Sequence, residues 1–276
     1  MKSPVLSILF LLISVTLLAV PNDFRFRHFS VEDGLSSNSV RAIMQDKYGF
    51  LWIGTEEGLN RYDGIMIKSY SICPQAAGKY ISSLYGTKKN IWIGTDEGIY
   101  IYAYATETFT YFDLTTPNNV RITSIVNHIL QDKDGNLWFS TNGQGLFRYN
   151  LSKNYLEQYE FTSAFGIVAS TMADSDNQIW ALTNQGESGV YKLNKAENKF
   201  EPFGLLYNAG NHHSQALAML EDSEQTLWLG TWECGLQKID KYTRQTTTYL
   251  HPTDGKGVTH IHSLMEYAPH QLLIGS

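Results

Sequence analysis

A short pattern built on tryptophan returns along this chain at nearly even distances, and that return limits the fold more than any other feature. Aligned on the Trp it reads "LWIGTEEGLNRYD" at 51–63, "IWIGTDEGIYIYA" at 91–103, "LWFSTNGQGLFRYN" at 137–150, "IWALTNQGESGVYKLN" at 179–194 and "LWLGTWECGLQKID" at 227–240. The stretch "LLIGS" at 272–276 opens a sixth copy, with Leu273 in the Trp position. The anchors Trp52, Trp92, Trp138, Trp180, Trp228 and Leu273 are 40, 46, 42, 48 and 45 residues apart. A period drifting through the forties is that of a four-stranded propeller blade, whose faces only neighbouring copies can cover. The expected fold is all-β: a β-propeller of about five complete four-stranded blades and the start of a sixth.

Each unit divides into four short strands. In the first they are "SVRAIMQD" (39–46), "FLWIGT" (50–55), "LNRYD" (59–63) and "IMIKSY" (65–70), separated by the turns "DKYG", "EEG" and "DG". Asp46, Asp132, Asp174 and Asp222 open the first turn, where an Asp side chain can cap its own backbone. The second turn ends in Gly58, Gly98, Gly145, Gly189 and Gly235. Strand two is apolar on both faces, as a strand sandwiched between blades must be. Gly54, Gly94, Gly230 and Gly275 follow the anchor by two and would let the next blade approach; Ser140 and Leu182 break that rule. The Trp residues other than Trp232 therefore read as inter-blade core. Glu56, Glu57, Asp96 and Glu97 read as turn residues, because a feature present in several blades cannot mark one site.

Composition excludes some partners. The 276 residues carry a formal net charge of −6 and no Lys/Arg cluster, which argues against nucleic acid. The apolar run Val5–Val20 is sixteen residues long, a good signal-peptide core and short for a spanning helix. Residues 1–20 are thus expected to direct export, with an uncleaved anchor as the alternative, and residues 21–276 to form the propeller. The two cysteines, Cys73 and Cys234, have no metal-type spacing, and no cofactor motif is present.

The start of the predicted mature chain is more specific than the period. "EDGLSSNSV" (Glu32–Val40), "QDKYGFLWIGTEEGLNRYDG" after it and "QDKDGNLWFST" (131–141) resemble the two-component regulator propeller family. The resemblance covers residues 26–276. It implies a sensor: the periplasmic part of hybrid histidine kinases in glycan-degrading Gram-negative bacteria, responding to oligosaccharides from carbohydrate breakdown. It also implies seven-bladed rings, so this chain reads as an incomplete one. In the family a β-sandwich, a membrane helix and a kinase follow, and this sequence stops inside blade six before any of them. "FRFRHFS" (24–30) would be the strand that closes a ring. Without a last blade, each uncovered large side chain forfeits roughly 1.5–3 kcal/mol of burial, so an aggregation-prone open arc is expected.

Candidate contact residues are those that depart from the repeat. Blade five has the turn "TWECG" (231–235), placing Trp232, Glu233 and Cys234 where other copies have small polar residues. The linker "LLYNAGNHHSQ" (205–215) adds Tyr207, Asn211, His212 and His213. An exposed Trp beside Asn and His donors suits a sugar, with an apolar face for the ring and polar groups for hydroxyls. The other reading packs Trp232 beneath its own linker. Arg41, Asn127 and His262 align on the innermost strand, with Ala169 and Leu217 at the same place, and would face the central channel. His260 and His262 share a strand face, but zinc needs a third ligand and none is evident.

Two other function classes stay open. A propeller glycosidase needs two carboxylates across the scissile bond, and Glu157, Glu160, Glu187 and Glu233 are scattered over different blades. A lyase would draw on Tyr207, His212 and His213. A protein-interaction propeller would use its rim for a homodimer or another partner.

Overall fold

Alternating apolar residues and tight turns give strands of four to seven residues wherever the repeat calls for them. The computed structural model describes residues 27–72, 79–161, 166–183, 189–205, 215–250 and 260–276. Blade one is Val40–Gln45, Leu51–Thr55, Gly58–Tyr62 and Ile67–Tyr70; blade two is Ile81–Gly86, Asn90–Thr95, Gly98–Ala103 and Thr108–Tyr111. Blade three runs Val126–Gln131, Leu137–Thr141, Leu146–Asn150 and Tyr155–Tyr159. Blade four is Val168–Ala173, Ile179–Thr183, Gly189–Asn194 and Lys199–Leu205, and blade five Ala216–Glu221, Leu227–Thr231, Leu236–Ile239 and Thr246–Tyr249. Ser263–Ala268 and Gln271–Gly275 form a two-stranded sixth sheet. Every sheet is antiparallel in sequential order, the propeller arrangement. Among the described residues no helix is long and apolar enough to cross a membrane.

The first strands lie innermost, each touching the first strand of the next blade. Between blades lie separate apolar clusters, each centred on the Trp of the earlier blade. Trp52 packs on Ile81, Ile91 and Ile93, Trp92 on Ile129 and Phe139, Trp138 on Val168 and Ala181, and Trp180 on Ala216 and Leu229. A Cβ added to Gly94 would lie 2.9 Å from the Val126 carbonyl oxygen, so the close approach expected of this glycine is real. Ser140, which departs from that rule, instead hydrogen-bonds Thr171 of blade four.

The repeated Asp does more than the turn chemistry read from sequence. In blade one, Asp46 Oδ1 accepts the Tyr48 and Phe50 backbone N–H groups, while its Oδ2 accepts the indole N–H of Trp52 at 2.8 Å. The same bond joins Trp138 to Asp132 (2.7 Å), Trp180 to Asp174 (3.0 Å) and Trp228 to Asp222 (2.6 Å). A single carboxylate thus closes the turn and satisfies a buried donor. Across from each of these Trp residues, on strand three, stands a cation: Arg61, Arg148, Lys192 and Lys238. Their charged ends lie 5.2–5.8 Å from the indole centroids, within cation–π range. Sequence reasoning missed this frame, although a cation 9 to 12 residues after the Trp was visible.

Residues 27–30 of the expected closing segment have no strand, and 24–26 lie outside the described residues. The chain enters blade one through a turn of 3₁₀ helix, Val31–Asp33, with Ser30 capping it.

Candidate functional site

Blade five departs from its siblings where the sequence indicates. Its second turn copies the geometry of blade three: Thr231 Oγ1 donates to the Gly235 carbonyl at 2.7 Å, as Thr141 Oγ1 does to Gly145 at 2.6 Å. Blade three places Gly143 (φ 109°) at the left-handed position, whereas blade five has Glu233 there (φ 75°). Such backbone costs a non-glycine residue about 1 kcal/mol.

Beside it Trp232 is 40% exposed. Its backbone N–H donates to the Gln215 carbonyl at 2.9 Å, and it bridges His260 of the next blade. The indole meets the His260 ring edge-on at 3.8 Å and lies 6.1 Å from His262. The two imidazoles are parallel within 8° and 6.4 Å apart, because they flank Ile261, which turns the other way and packs, fully buried, on Gly230. Trp232, His260 and His262 thus form a shelf between blades five and six, with Glu233 next to Trp232 in the chain. It offers an indole ring with imidazole nitrogens alongside. His260 is the member that sequence reasoning weighed only for metal, and the "THIH" stretch already signalled it. Among the described residues no group of three His, Cys, Asp or Glu is placed to hold a metal ion. Tyr207, Asn211, His212 and His213 lie outside the described residues.

Arg41 and Asn127 sit elsewhere, each as the extra residue of a bulge in the innermost strand. Arg41 pairs with Glu56 and lies 5.9 Å from the Tyr80 ring. The hydrogen bond raises the arginine pKa and lowers that of Glu56, so both stay charged. Asn127 is drawn into the scaffold: its Nδ2 donates to the Val168 carbonyl of blade four at 2.9 Å. Ser82, at the matching bulge of blade two, does the same to Val126 at 2.8 Å. These polar side chains stitch neighbouring inner strands together. Of the scattered acids, Glu157 is held by Arg148, Tyr159 and Asn198, and Glu187 lies outside the described residues.

Comparison with known proteins agrees with this architecture. The family model described as two component regulator propeller matches residues 34–57 and 120–143, each running from a linker through strands one and two. Histidine kinase P4 of Formosa agariphila is 46% identical over 68 residues, which are 25% of this chain and 5% of that protein. Among solved structures, the extracellular domain of the hybrid two component system BT3049 from B. thetaiotaomicron matches 90% of this chain and 34% of its own, at 24% identity and a TM-score of 0.73. That of BT4673 from the same organism matches 91% and 32%, at 23% identity and a TM-score of 0.74. Virginiamycin B lyase from Staphylococcus aureus matches 86% and 77%, at 16% identity and a TM-score of 0.66. At these identities the structural likeness is one of fold, and the chain spans about a third of the two extracellular domains. The chain is a β-propeller in which two stretches, 34–57 and 120–143, match the two component regulator propeller model.

Proposed function

We propose that this propeller is a ligand-sensing part of a two-component signalling protein and that it binds an oligosaccharide on the blade five–six shelf. The observation that carries the reading is the exposed Trp232 beside His262, on a turn that accepts strained backbone at Glu233. An indole face covers the C–H face of a sugar ring, and imidazole and carboxylate groups pair with its hydroxyls. In this reading residues 1–20 direct export and residues 21–276 work in the periplasm. Occupancy is passed to a kinase through the other domains of the signalling protein, with no catalysis by the propeller itself.

Calorimetry on the chain against a panel of oligosaccharides, with Trp232→Ala as control, tests the reading. Saturable binding that disappears in Trp232→Ala is the expected result. Binding unchanged by that substitution, or none from folded protein, would remove the shelf as the recognition site.

A further inference from the structure

Blade two lacks both charged partners of its Trp. Thr87 opens its turn five residues before Trp92, whereas the Asp of the other four complete blades stands six before its Trp, and Ile101 stands across from Trp92 where they have Arg or Lys. Thr87 still holds its turn, with Oγ1 accepting from the Asn90 N–H at 3.0 Å. It does not reach the indole. Trp92 is only 3% exposed, and its Nε1–H is buried with no hydrogen-bond partner among the described residues. A buried donor without an acceptor is costly, and the other complete blades avoid that cost.

The same blade opens onto a groove of about 450 Å³ facing blade three. Trp92, Ile101 and Tyr149 line its floor, and Asn90, Asp113 and Asn154 its rim. Arg61, which lines the matching groove between blades one and two, spreads over Phe50 at 4.5 Å and so fills space that Ile101 leaves open. Asp113 is already neutralised by Arg121 at 2.8 Å, so the rim offers amides and hydroxyls rather than net charge. Tyr149 donates its hydroxyl to Asn154 Oδ1 at 2.8 Å, which leaves the Asn154 amide N–H groups directed outward from that bond.

We propose that the groove between blades two and three is a second binding site, for an uncharged polyhydroxylated ring such as a saccharide unit. An aromatic and aliphatic floor takes the C–H face of such a ring, and the Asn and Asp rim takes its hydroxyls. A charged guest finds no counter-ion there, because Asp113 is already paired with Arg121. The site is separate from the blade five–six shelf, and each stands without the other.

The test reads the indole N–H signals of the 15N-labelled full chain, six in number. Thr87→Asp identifies the Trp92 signal by moving it downfield, and Trp232→Phe identifies that of Trp232. Titration with maltotriose, xylotriose, mannotriose and cellotriose should shift the Trp92 signal saturably with at least one of them. Thr87→Asp combined with Ile101→Arg brings in both residue types of the sibling frame, and the arginine fills the groove as Arg61 does in blade one. The double variant should keep or raise the melting temperature while abolishing that shift, so the loss cannot be ascribed to unfolding. A Trp92 signal unmoved by all four sugars, or a shift that persists in the double variant, overturns the proposal. Movement at Trp232 alone upholds the shelf and overturns the groove; movement at Trp92 alone does the reverse.

Discussion

Val40 and Val126 hold the same place in blades one and three, immediately before the bulge of the innermost strand. Val126 is fully buried under Gly94 of blade two, and its carbonyl accepts from Ser82 and Ser83. Val40 is 39% exposed. Three residues further on, Ile129 is buried and Ile43 is 66% exposed. The residue types match, so the difference lies wholly in the neighbour: blade three has blade two against this face, whereas among the described residues no blade covers that of blade one. Stability in such an array is held in the interfaces between successive units, more than within each sheet.

The largest expected effect is at a closed interface. Trp138→Ala should cost about 3–5 kcal/mol in urea denaturation, since it removes a buried indole together with its bond to Asp132. Trp228→Ala, whose indole is half-buried, should cost clearly less. Equal losses would break the comparison.

Lys241 sharpens it through charge. This buried lysine ties blade five to blade four, with its Nζ 2.9 Å from both Asp176 and Glu221 and 3.7 Å from Asp174. Burial opposes its charge, but the bonds to Asp176 and Glu221 and the field of Asp174 outweigh it and raise the pKa above the ordinary 10.5. The folded state therefore holds this proton more tightly than the unfolded chain does. Its stabilisation is complete below pH 10.5 and is lost as pH climbs through the higher folded value. Lys241→Ala should cost about 3 kcal/mol at neutral pH by leaving acids unpaired. The part of the alkaline loss that belongs to this lysine should vanish in the variant.

Gly94→Ala comes next, at about 1–3 kcal/mol, because the new methyl meets a backbone carbonyl and cannot push it aside cheaply. His128, half-buried between the inner strands of blades three and four, tests the same interface from the acid side. Burial holds its pKa at about 4 rather than 6.5. As pH falls the unfolded chain takes up the proton first, so stability is full above pH 6.5 and declines toward pH 4. Between pH 6.5 and 5.5 the loss should be about 1 kcal/mol, and His128→Asn should flatten it. Ile43→Ser on the uncovered face should change stability by less than about 0.5 kcal/mol. A larger loss there would mean that the face is covered in solution.

Much of this was legible in the sequence. The anchor positions, the four strands per unit and the role of Trp as inter-blade core all followed from period and alternation. Trp232 and Glu233 stood out because they broke a pattern that the other copies kept. Less visible was the double duty of Asp46 and its counterparts. A turn residue and an indole acceptor look identical in one dimension, and only the curl of strand two brings the ring back over the turn. The surroundings of Asn127 were hidden for a related reason. Its place on the innermost strand was read correctly, yet a bulge aims its amide at the Val168 carbonyl of blade four, 41 residues further along the chain.

The sequence by itself determined the blade: where each strand starts, which side chain anchors it and how many copies follow. Short-range periodicity suffices for that, because turns and pleats are set within a few residues. Tertiary structure decided which faces are covered and which charges are paired. Val40 and Val126 differ only through the partner that another blade supplies. Burial depends on what stands across an interface, and the local pattern carries no record of that.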